Sequence, residues 1–484
     1  MLLPLFSLAL AISATTADTA GAHGSHDAAE IADLEAFIAK QMVAGGVPGL
    51  SVAVVSNSTL LYANGFGFSD PQHKTRKVTN ATLFTLASIS KTIISFVAMR
   101  LFDKGLMALD ADVNNYLAPA SSPLHPLRNN HFPAANITMR QLLSHTSSIN
   151  DAQYDTDAVY NDIVVQGDSP TSIGVFLGAL MVPGGKYWSA KKAFHEYRPG
   201  ARFDYSNVGA TTAAHVCECI AATLSAPARA TLGLGPRLPS GGGTPDTFDD
   251  LARAMFKAEW GIAAGVGYHV ADLAGEDVAV PSKGDRSTPR QFTDYCLYGY
   301  PDYPDGSWRT SPTSYSALFR TFVARGTAPP ELGGKQVLAR STALLMRNVS
   351  AGAGHDPGQA GLPQAIIWYY DSSLGKSLLG HNGGDAGIST DAFFHTKTGV
   401  GFIAFTNGDD VHDDLKGKYD KATLAIELRL MQTFDKAGGW PKVADTDYGA
   451  LAPSAARRGR HLARSARRVG KKLPCGLSDD DDKD

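Results

Sequence analysis

The chain has few of the residues that mark disulfide-rich, membrane-spanning or nucleic-acid-binding proteins. Only four cysteines occur in 484 residues, too few for a disulfide framework in a chain of this size. No apolar run beyond the N-terminus is long enough to cross a bilayer. The net charge is −3, so no charge excess over the whole chain points to nucleic acid as a partner. With 44% hydrophobic and 19% charged residues, the composition indicates a soluble globular enzyme with a sizeable core.

Two common catalytic motifs are also missing. The sequence contains no Gly-x-Ser-x-Gly, which argues against the alternative of an α/β-hydrolase with a Ser-His-Asp triad. It contains no His-Glu-x-x-His, and its histidines show no metal-binding spacing. We therefore expect no metal site, and we expect the histidines other than His381, His145 included, to be structural.

The N-terminus suggests a secretory route. Residues 1–22 combine an apolar run that is too short to span a membrane with small residues that suit signal peptidase, and predict a signal peptide. A short buried or unstructured start is the alternative. Four Asn-x-Ser/Thr sequons, at Asn57, Asn80, Asn136 and Asn348, fit a secreted glycoprotein.

The C-terminal residues 450–484 differ in composition from the rest. Between residues 457 and 484 there are nine Lys and Arg and five Asp, and the stretch predicts a disordered tail. A polyanion-binding role for these basic residues is the alternative, and residues 479–483 resemble an enteropeptidase recognition site.

The cysteine pairing stays open. Cys217 and Cys219 are too close on a predicted helix to pair with each other, while either could reach Cys296, and Cys475 lies in the tail. The oligomeric state is likewise undetermined by the sequence.

The order of the predicted helices and strands indicates an α+β fold whose sheet is built from both ends of the chain. A helix over 26–43 and a hairpin over 50–66 come first, and four strands between 366 and 406 with a closing helix over 416–434 come last. These ends predict one antiparallel sheet flanked by helices, an α/β lobe of residues 27–86 and 360–435. Residues 87–359 predict a mainly helical lobe with a flexible Gly- and Pro-rich insertion at 223–246. A cleft between the lobes of this single domain, residues 27–435, is the natural ligand site.

Ser88 and Lys91 are the most informative residues. They lie three apart at the start of the apolar segment 83–106, so a helix places both side chains on one face. A hydroxyl beside a buried amine is one way to make serine nucleophilic. The Ser-x-x-Lys pattern also occurs at Ser189 and at Ser373, but in polar surroundings without an apolar helix.

Two further motifs supply partners for such a pair. Tyr205 and Asn207, two apart on a loop, offer a phenol that can relay a proton and an amide that can hold a substrate carbonyl. A strand is predicted over 377–381, so His381, Gly383 and Gly384 lie at its end, where glycine lets a substrate approach closely and a main-chain N–H could act as an oxyanion donor.

The order Ser-x-x-Lys, Tyr-Ser-Asn, His-x-Gly resembles that of the serine β-lactamase and penicillin-binding protein superfamily. It is most similar to the class C β-lactamase-like branch, which also contains esterases and D-aminoacyl peptidases. The resemblance covers roughly residues 30–435. It implies a β-lactamase/transpeptidase-like fold and an acyl-enzyme mechanism without cofactor, acting on a small molecule or short peptide.

The resemblance also implies residue roles. Ser88 matches the nucleophile, Lys91 its base and Tyr205 the proton shuttle. Asn207 matches the contact to the substrate amide, and Gly383 matches the glycine of the family's Lys-Thr-Gly motif. The main-chain N–H groups of Ser88 and Gly384 match the oxyanion hole.

One departure bears on the substrate. His381 takes the place of the lysine of true class C β-lactamases, and a histidine is mostly neutral at pH 7 if unperturbed. The substitution favours esters or D-aminoacyl peptides over β-lactams. Lys397-Thr398-Gly399 spells the β-lactamase motif, but a hairpin turn is expected there. A catalytically weak or inactive protein of the same fold, with an assembly or binding role, is the remaining alternative.

Overall fold

Strands from both ends of the chain form one six-stranded antiparallel sheet, as predicted. The computed structural model describes residues 27–117, 122–235, 246–285, 290–350, 363–372, 374–409 and 417–441. The sheet consists of β1 Gly49–Ser56, β2 Thr59–Gly67, β3 Tyr369–Asp371, β4 Leu378–Asp385, β5 Ile388–His395 and β6 Val400–Thr406. Its strand order is β3-β4-β5-β6-β1-β2, so the N-terminal hairpin extends the C-terminal meander.

Helices cover both faces of this sheet, which explains why β1 and β6 are apolar at nearly every position. The alternating residues Val52 and Val54 pack with the helices Ala28–Gly45 and Lys418–Phe434, while Ala53 and Val55 belong to the larger core that contains the helix Pro312–Val323. The helices are α1 Ala28–Gly45, α2 Lys91–Asp103, α3 Met139–Leu143, α4 Asp157–Ile163, α5 Ile173–Met181, α6 Asn207–Thr223, α7 Ala226–Thr231, α8 Phe248–Trp260, α9 Pro312–Val323, α10 Arg340–Leu345 and α11 Lys418–Phe434.

The middle of the chain is helical and loop-rich, with only short strand pairs. Its strands are Phe84–Thr85, Val165–Gln166, Val266–Gly267, Ser282–Gly284, Phe292–Asp294, Tyr298–Gly299 and Arg309–Thr310. Short 3₁₀ turns occur at Ala87–Ser90, Val113–Asn115, Ala271–Leu273, Tyr303–Asp305, Pro330–Leu332 and Lys436–Gly438. The two lobes meet where the Ala87–Ser90 turn packs against β4 and β5.

The structure departs from the sequence-based expectation at the end of β4 and in the insertion. β4 continues through the glycine motif to Asp385 instead of ending at His381, and the chain turns at Gly387, whose φ is +69°. A helix, α7, and an ion pair between Arg229 and Asp246 occupy part of the insertion predicted to be flexible.

Several predictions fall where the structure gives no description. The signal peptide at 1–22, the tail at 450–484, residues 236–245 of the insertion, Ser373 and Cys475 all lie outside the described residues. Cys217 and Cys219 are buried in α6 and neither forms a disulfide, so a bond from either to Cys296 is absent.

Candidate active site

Ser88 lies in a tight turn that connects a short strand to α2. The turn Ala87–Ser90 is 3₁₀-helical, and the preceding Ala87 has a φ of +45°, an uncommon conformation for a residue with a β-carbon. The backbone is held on both sides, because Leu86 N–H donates to Trp308 O at 2.8 Å and Trp308 N–H donates to Ser90 Oγ at 3.0 Å. The sequence predicted Ser88 in a regular helix, whereas α2 begins only at Lys91.

Lys91 contacts the hydroxyl of Ser88 directly. Its Nζ lies 3.1 Å from Ser88 Oγ and 2.8 Å from the carbonyl oxygen of Asp305. The lysine is fully buried, with 0% of its surface exposed. The hydrogen bond to the Asp305 carbonyl and the burial of the side chain hold the amine of Lys91 beside the hydroxyl of Ser88.

Tyr205 lies beside this pair. Lys91 Nζ is 5.1 Å from the centroid of the Tyr205 ring, and the centroid of the His381 ring is 6.5 Å from that of Tyr205. The structure therefore brings Ser88, Lys91, Tyr205 and His381 together from three distant parts of the chain.

His145 supports the Tyr205 loop. Its ring lies 4.4 Å from the Tyr205 ring, its Nδ1 accepts from Ser206 N–H at 3.2 Å, and its carbonyl oxygen accepts from Asp204 N–H at 2.8 Å. His145 is buried and adopts a φ of +55°. These contacts agree with the structural role predicted for it.

Asn207 begins α6, and its position depends on Asp151. One Asp151 carboxylate oxygen accepts from Asn207 N–H at 2.6 Å, and the other accepts from Ser206 Oγ at 2.6 Å and Val208 N–H at 3.3 Å. A carboxylate at a helix N-terminus satisfies free N–H groups and the helix dipole. Asp151 was not identified from the sequence, since its partners are more than fifty residues away and no motif marks it.

The glycine motif of β4 passes directly against the main chain of Ser88. A β-carbon on Gly383 would lie 2.8 Å from Ser88 N and 2.5 Å from Leu86 O, so only glycine fits here without a shift. Gly384 follows, opposite Ser389 of β5. Within the described residues β3 pairs with β4 only at Leu378–Gly380. The glycine motif is therefore paired with β5 alone and has no strand partner on its other side among these residues.

His381 is buried on β4, and its Nδ1 lies 2.5 Å from the carbonyl oxygen of Asn382. The adjacent Asn382 accepts from Tyr369 OH at 2.7 Å. The contact with the Asn382 carbonyl holds the His381 side chain, which by resemblance replaces the lysine of class C β-lactamases.

Buried acidic and phenolic groups lie behind the site. Tyr300 OH donates to Asp385 Oδ2 at 3.3 Å. Burial, together with the carboxylates of Asp385, Asp305 and Asp302, raises the pKa of Tyr300 well above its ordinary value, so this phenol stays protonated. The sequence did not single out Asp305, because it contacts Lys91 through a carbonyl that any residue type would provide.

The sequence Lys397-Thr398-Gly399 lies outside this site, in the turn between β5 and β6. Thr398 and Gly399 form the turn between β5 and β6, Gly399 has a φ of +73°, and Thr398 Oγ1 donates to Asp435 at 2.9 Å. The hairpin turn predicted there is confirmed.

The described part of the chain has no metal-binding cluster and no helix that could span a membrane. Within it, no group of three or more His, Cys, Asp or Glu side chains could hold a metal ion. None of the helices in the described ranges is long and apolar enough to cross a membrane.

Known proteins are similar to parts of this sequence and to most of its fold. Protein flp of Staphylococcus aureus is 25% identical over 36% of the chain, and esterase EstB of Burkholderia gladioli is 33% identical over 20% of it. The matches span 30% and 24% of those two relatives' lengths. The structure of D-amino acid amidase from Ochrobactrum anthropi has a TM-score of 0.57 at 15% identity, covering 84% of this chain and all of the amidase.

That likeness shows the fold, and the sequence itself shows the family. The model of the family described as Beta-lactamase matches residues 34–426, most of the chain. The protein therefore belongs to the Beta-lactamase family and has its antiparallel sheet, flanking helices and helical lobe.

Proposed function

We propose that this protein is a serine hydrolase that forms an acyl-enzyme on Ser88 from carboxylic esters or D-aminoacyl amides. The observation that carries the proposal is the 3.1 Å contact between Lys91 Nζ and Ser88 Oγ at a fully buried lysine. A nucleophile and a base within hydrogen-bond reach, with the base oriented by a third group, is the arrangement that covalent catalysis requires. Here the third group is the carbonyl of Asp305.

The reaction proceeds in two halves. Ser88 Oγ bonds to the substrate carbonyl carbon while its proton passes to Lys91, and the oxyanion accepts hydrogen bonds from the N–H groups of Ser88 and Gly384. Collapse breaks the bond to the leaving alcohol or amine, which receives a proton through Tyr205. Water then attacks the acyl carbon, its proton returns through Tyr205 and Lys91, and Ser88 leaves as the free hydroxyl with a carboxylic acid as second product.

The surroundings of His381 favour substrates without a carboxylate next to the scissile bond. The side chain is buried and tied to the Asn382 carbonyl, where a lysine would present a permanent cation. The similarity to a protein named esterase EstB and to a D-amino acid amidase supports the same choice.

A substrate panel tests the proposal. Purified protein is assayed with p-nitrophenyl butyrate, a D-alanine amide, a D-Ala-D-Ala peptide and a chromogenic cephalosporin. We expect turnover of the ester or the D-amide that Ser88→Ala abolishes and Ser189→Ala, the same motif in the wrong place, leaves intact. Absence of turnover of every compound would favour a non-catalytic protein of this fold, and fastest turnover of the cephalosporin would overturn the substrate assignment.

A further inference from the structure

A basic cavity lies at the end of the sheet remote from Ser88. It is open to solvent, has a volume of about 330 Å³ and is lined by the C-terminal end of α9, the segment around α10 and the turns β1–β2 and β5–β6. Thr396, in its lining, is six residues beyond Thr390, which faces Gly383 and the Ser88 turn. At about 3.3 Å per strand residue, the cavity and the nucleophile are about 20 Å apart.

The lining carries four cations and no carboxylate. Arg325, Arg340, Arg347 and Lys397 face the cavity, and none of its lining residues, all in the described part of the chain, is acidic. The whole chain has a net charge of −3, so this concentration of positive charge runs against the average. Like charges in one cavity repel one another, and a bound anion would relieve that repulsion.

Arg347 is the most rigid of the four. Its guanidinium donates to the carbonyl oxygens of Phe322 and, at 3.0 Å, Val323, and it lies 5.0 Å and 5.2 Å from the rings of Phe322 and Phe394. Burial, together with the neighbouring Arg325 and Arg340, lowers the pKa of Arg347 to about 10. The carbonyls it binds end α9, so Arg347 also stabilises that helix and is a poor residue to mutate in a binding test.

Arg325 and Arg340 are solvent-exposed at the mouth of the cavity, as is Lys397. Arg325 has a φ of +59°, a conformation that directs the chain sharply after α9. These three side chains can be changed without removing a contact to the helix end.

We propose that this cavity binds a phosphorylated small molecule, a phosphomonoester or diphosphate, through Arg325, Arg340, Arg347 and Lys397. Guanidinium groups bind phosphate oxygens in pairs with matched geometry. A single carboxylate would leave most of the four charges uncompensated, whereas a diphosphate matches them. Phe394 and Thr396 provide apolar and polar surface for the organic part of the ligand.

One lining residue affects how the protein should be prepared. Asn57 begins the sequon Asn57-Ser58-Thr59 and lies at the mouth of the cavity. A glycan there would cover the opening, so the binding experiment uses protein from a host that does not N-glycosylate, together with the variant Asn57→Gln.

The test is titration calorimetry with inorganic pyrophosphate at ionic strengths of about 0.01 M and about 0.1 M. We expect saturable one-to-one binding to the full chain that weakens at the higher salt. The triple variant Arg325→Gln, Arg340→Gln, Lys397→Gln should bind at least about tenfold more weakly. The matched triple Lys40→Gln, Lys191→Gln, Lys257→Gln removes the same charge from exposed sites elsewhere and should bind like the wild type.

Either of two results would overturn the proposal. One is the absence of saturable binding at the lower salt. The other is equal weakening in the two triple variants, which would show a general effect of surface charge. Ester hydrolysis and thermal unfolding of both triples are measured alongside, and unchanged values show that the cavity and not the fold was altered.

Discussion

Gly383 and Ser88 are in main-chain contact across the boundary between the two lobes. A β-carbon on Gly383 would stand 2.8 Å from the Ser88 nitrogen, closer than side-chain carbons approach in folded proteins. Thr390 Oγ1 fixes the same turn by donating to Leu86 O at 2.7 Å. The nucleophile is therefore positioned by the sheet as much as by the turn that leads into α2.

Gly383→Ala should impair acylation more than it impairs folding. The added carbon pushes β4 away from Ser88 N and disturbs the two oxyanion donors, so kcat/KM should fall by about a hundredfold or more. Overpacking at this site should lower the free energy of unfolding by about 1–3 kcal/mol.

Gly235→Ala is the control, because nothing lies within 4 Å of a β-carbon there. Ester hydrolysis and urea unfolding of both variants are the measurements. Near wild-type kcat/KM in Gly383→Ala would contradict the proposed place of β4 in the site.

Lys91→Met should remove the base without opening a large cavity. The expected fall in kcat is about 10²–10⁴-fold, the range that a positioned general base contributes. Lys91→Arg keeps a hydrogen-bond donor near Asp305 O but cannot accept the proton of Ser88, so it should be about as inactive. Pre-steady-state hydrolysis of p-nitrophenyl butyrate separates acylation from later steps, and a burst rate within tenfold of the wild type in either variant would refute the role of Lys91.

Asp151→Ala should affect both stability and catalysis, because the carboxylate holds the residues that follow Tyr205. Loss of its charged hydrogen bonds to Ser206 and Asn207 should lower the free energy of unfolding by about 2–3 kcal/mol. We expect kcat to fall while KM changes little, since the phenol is displaced from the reacting atoms.

Thr247→Ala is the matched control for Asp151→Ala. Thr247 caps α8 with a side-chain hydrogen bond to Asp250 N–H, so its loss should cost about 1 kcal/mol and leave kcat unchanged. If both variants lost stability but neither lost kcat, Asp151 would be structural only.

The lowered pKa of Asp168 predicts that the stability of the protein depends on pH. Burial alone would raise the pKa of Asp168, but hydrogen bonds from His269 and from the N–H groups of Ala271 and Val270 lower it to about 2. Because the pKa is lower in the folded state, the carboxylate stabilises the fold above its unfolded pKa of about 3.9, and that contribution is lost as the pH falls towards 2.

Urea unfolding of Asp168→Asn should therefore show a deficit of about 1–2 kcal/mol at pH 7 that narrows between pH values of about 4 and 3. The exposed Glu276→Gln should show no comparable deficit. A deficit that stays constant over this range would contradict the lowered pKa.

The sequence predicted those parts of the site that depend on side-chain chemistry. Ser88, Lys91 and Tyr205 carry functional groups in recognisable spacing, and the structure brings them within a few ångströms. Asp305 contacts Lys91 through its carbonyl, so no residue type could reveal it. Asp151 acts across the chain on a helix end, a relationship set by tertiary packing.

The same distinction holds for the fold. The N-terminal hairpin and the closing helix followed from apolar periodicity, since those patterns are local. The length of β4 did not, because glycines that normally end a strand extend it here: Gly383 alone allows the strand to pass the Ser88 turn. A close approach between two backbones leaves no periodic signal.

Covalent labelling tests whether Ser88 is the nucleophile. The protein is treated with a fluorophosphonate probe that reacts with activated serine hydroxyls, digested and mapped by mass spectrometry, with Ser88→Ala and Ser189→Ala treated in parallel. If Ser88 is the nucleophile, we expect one labelled site, at Ser88, which is retained in Ser189→Ala and lost in Ser88→Ala. A label at any other serine, or none on folded wild-type protein, would contradict it.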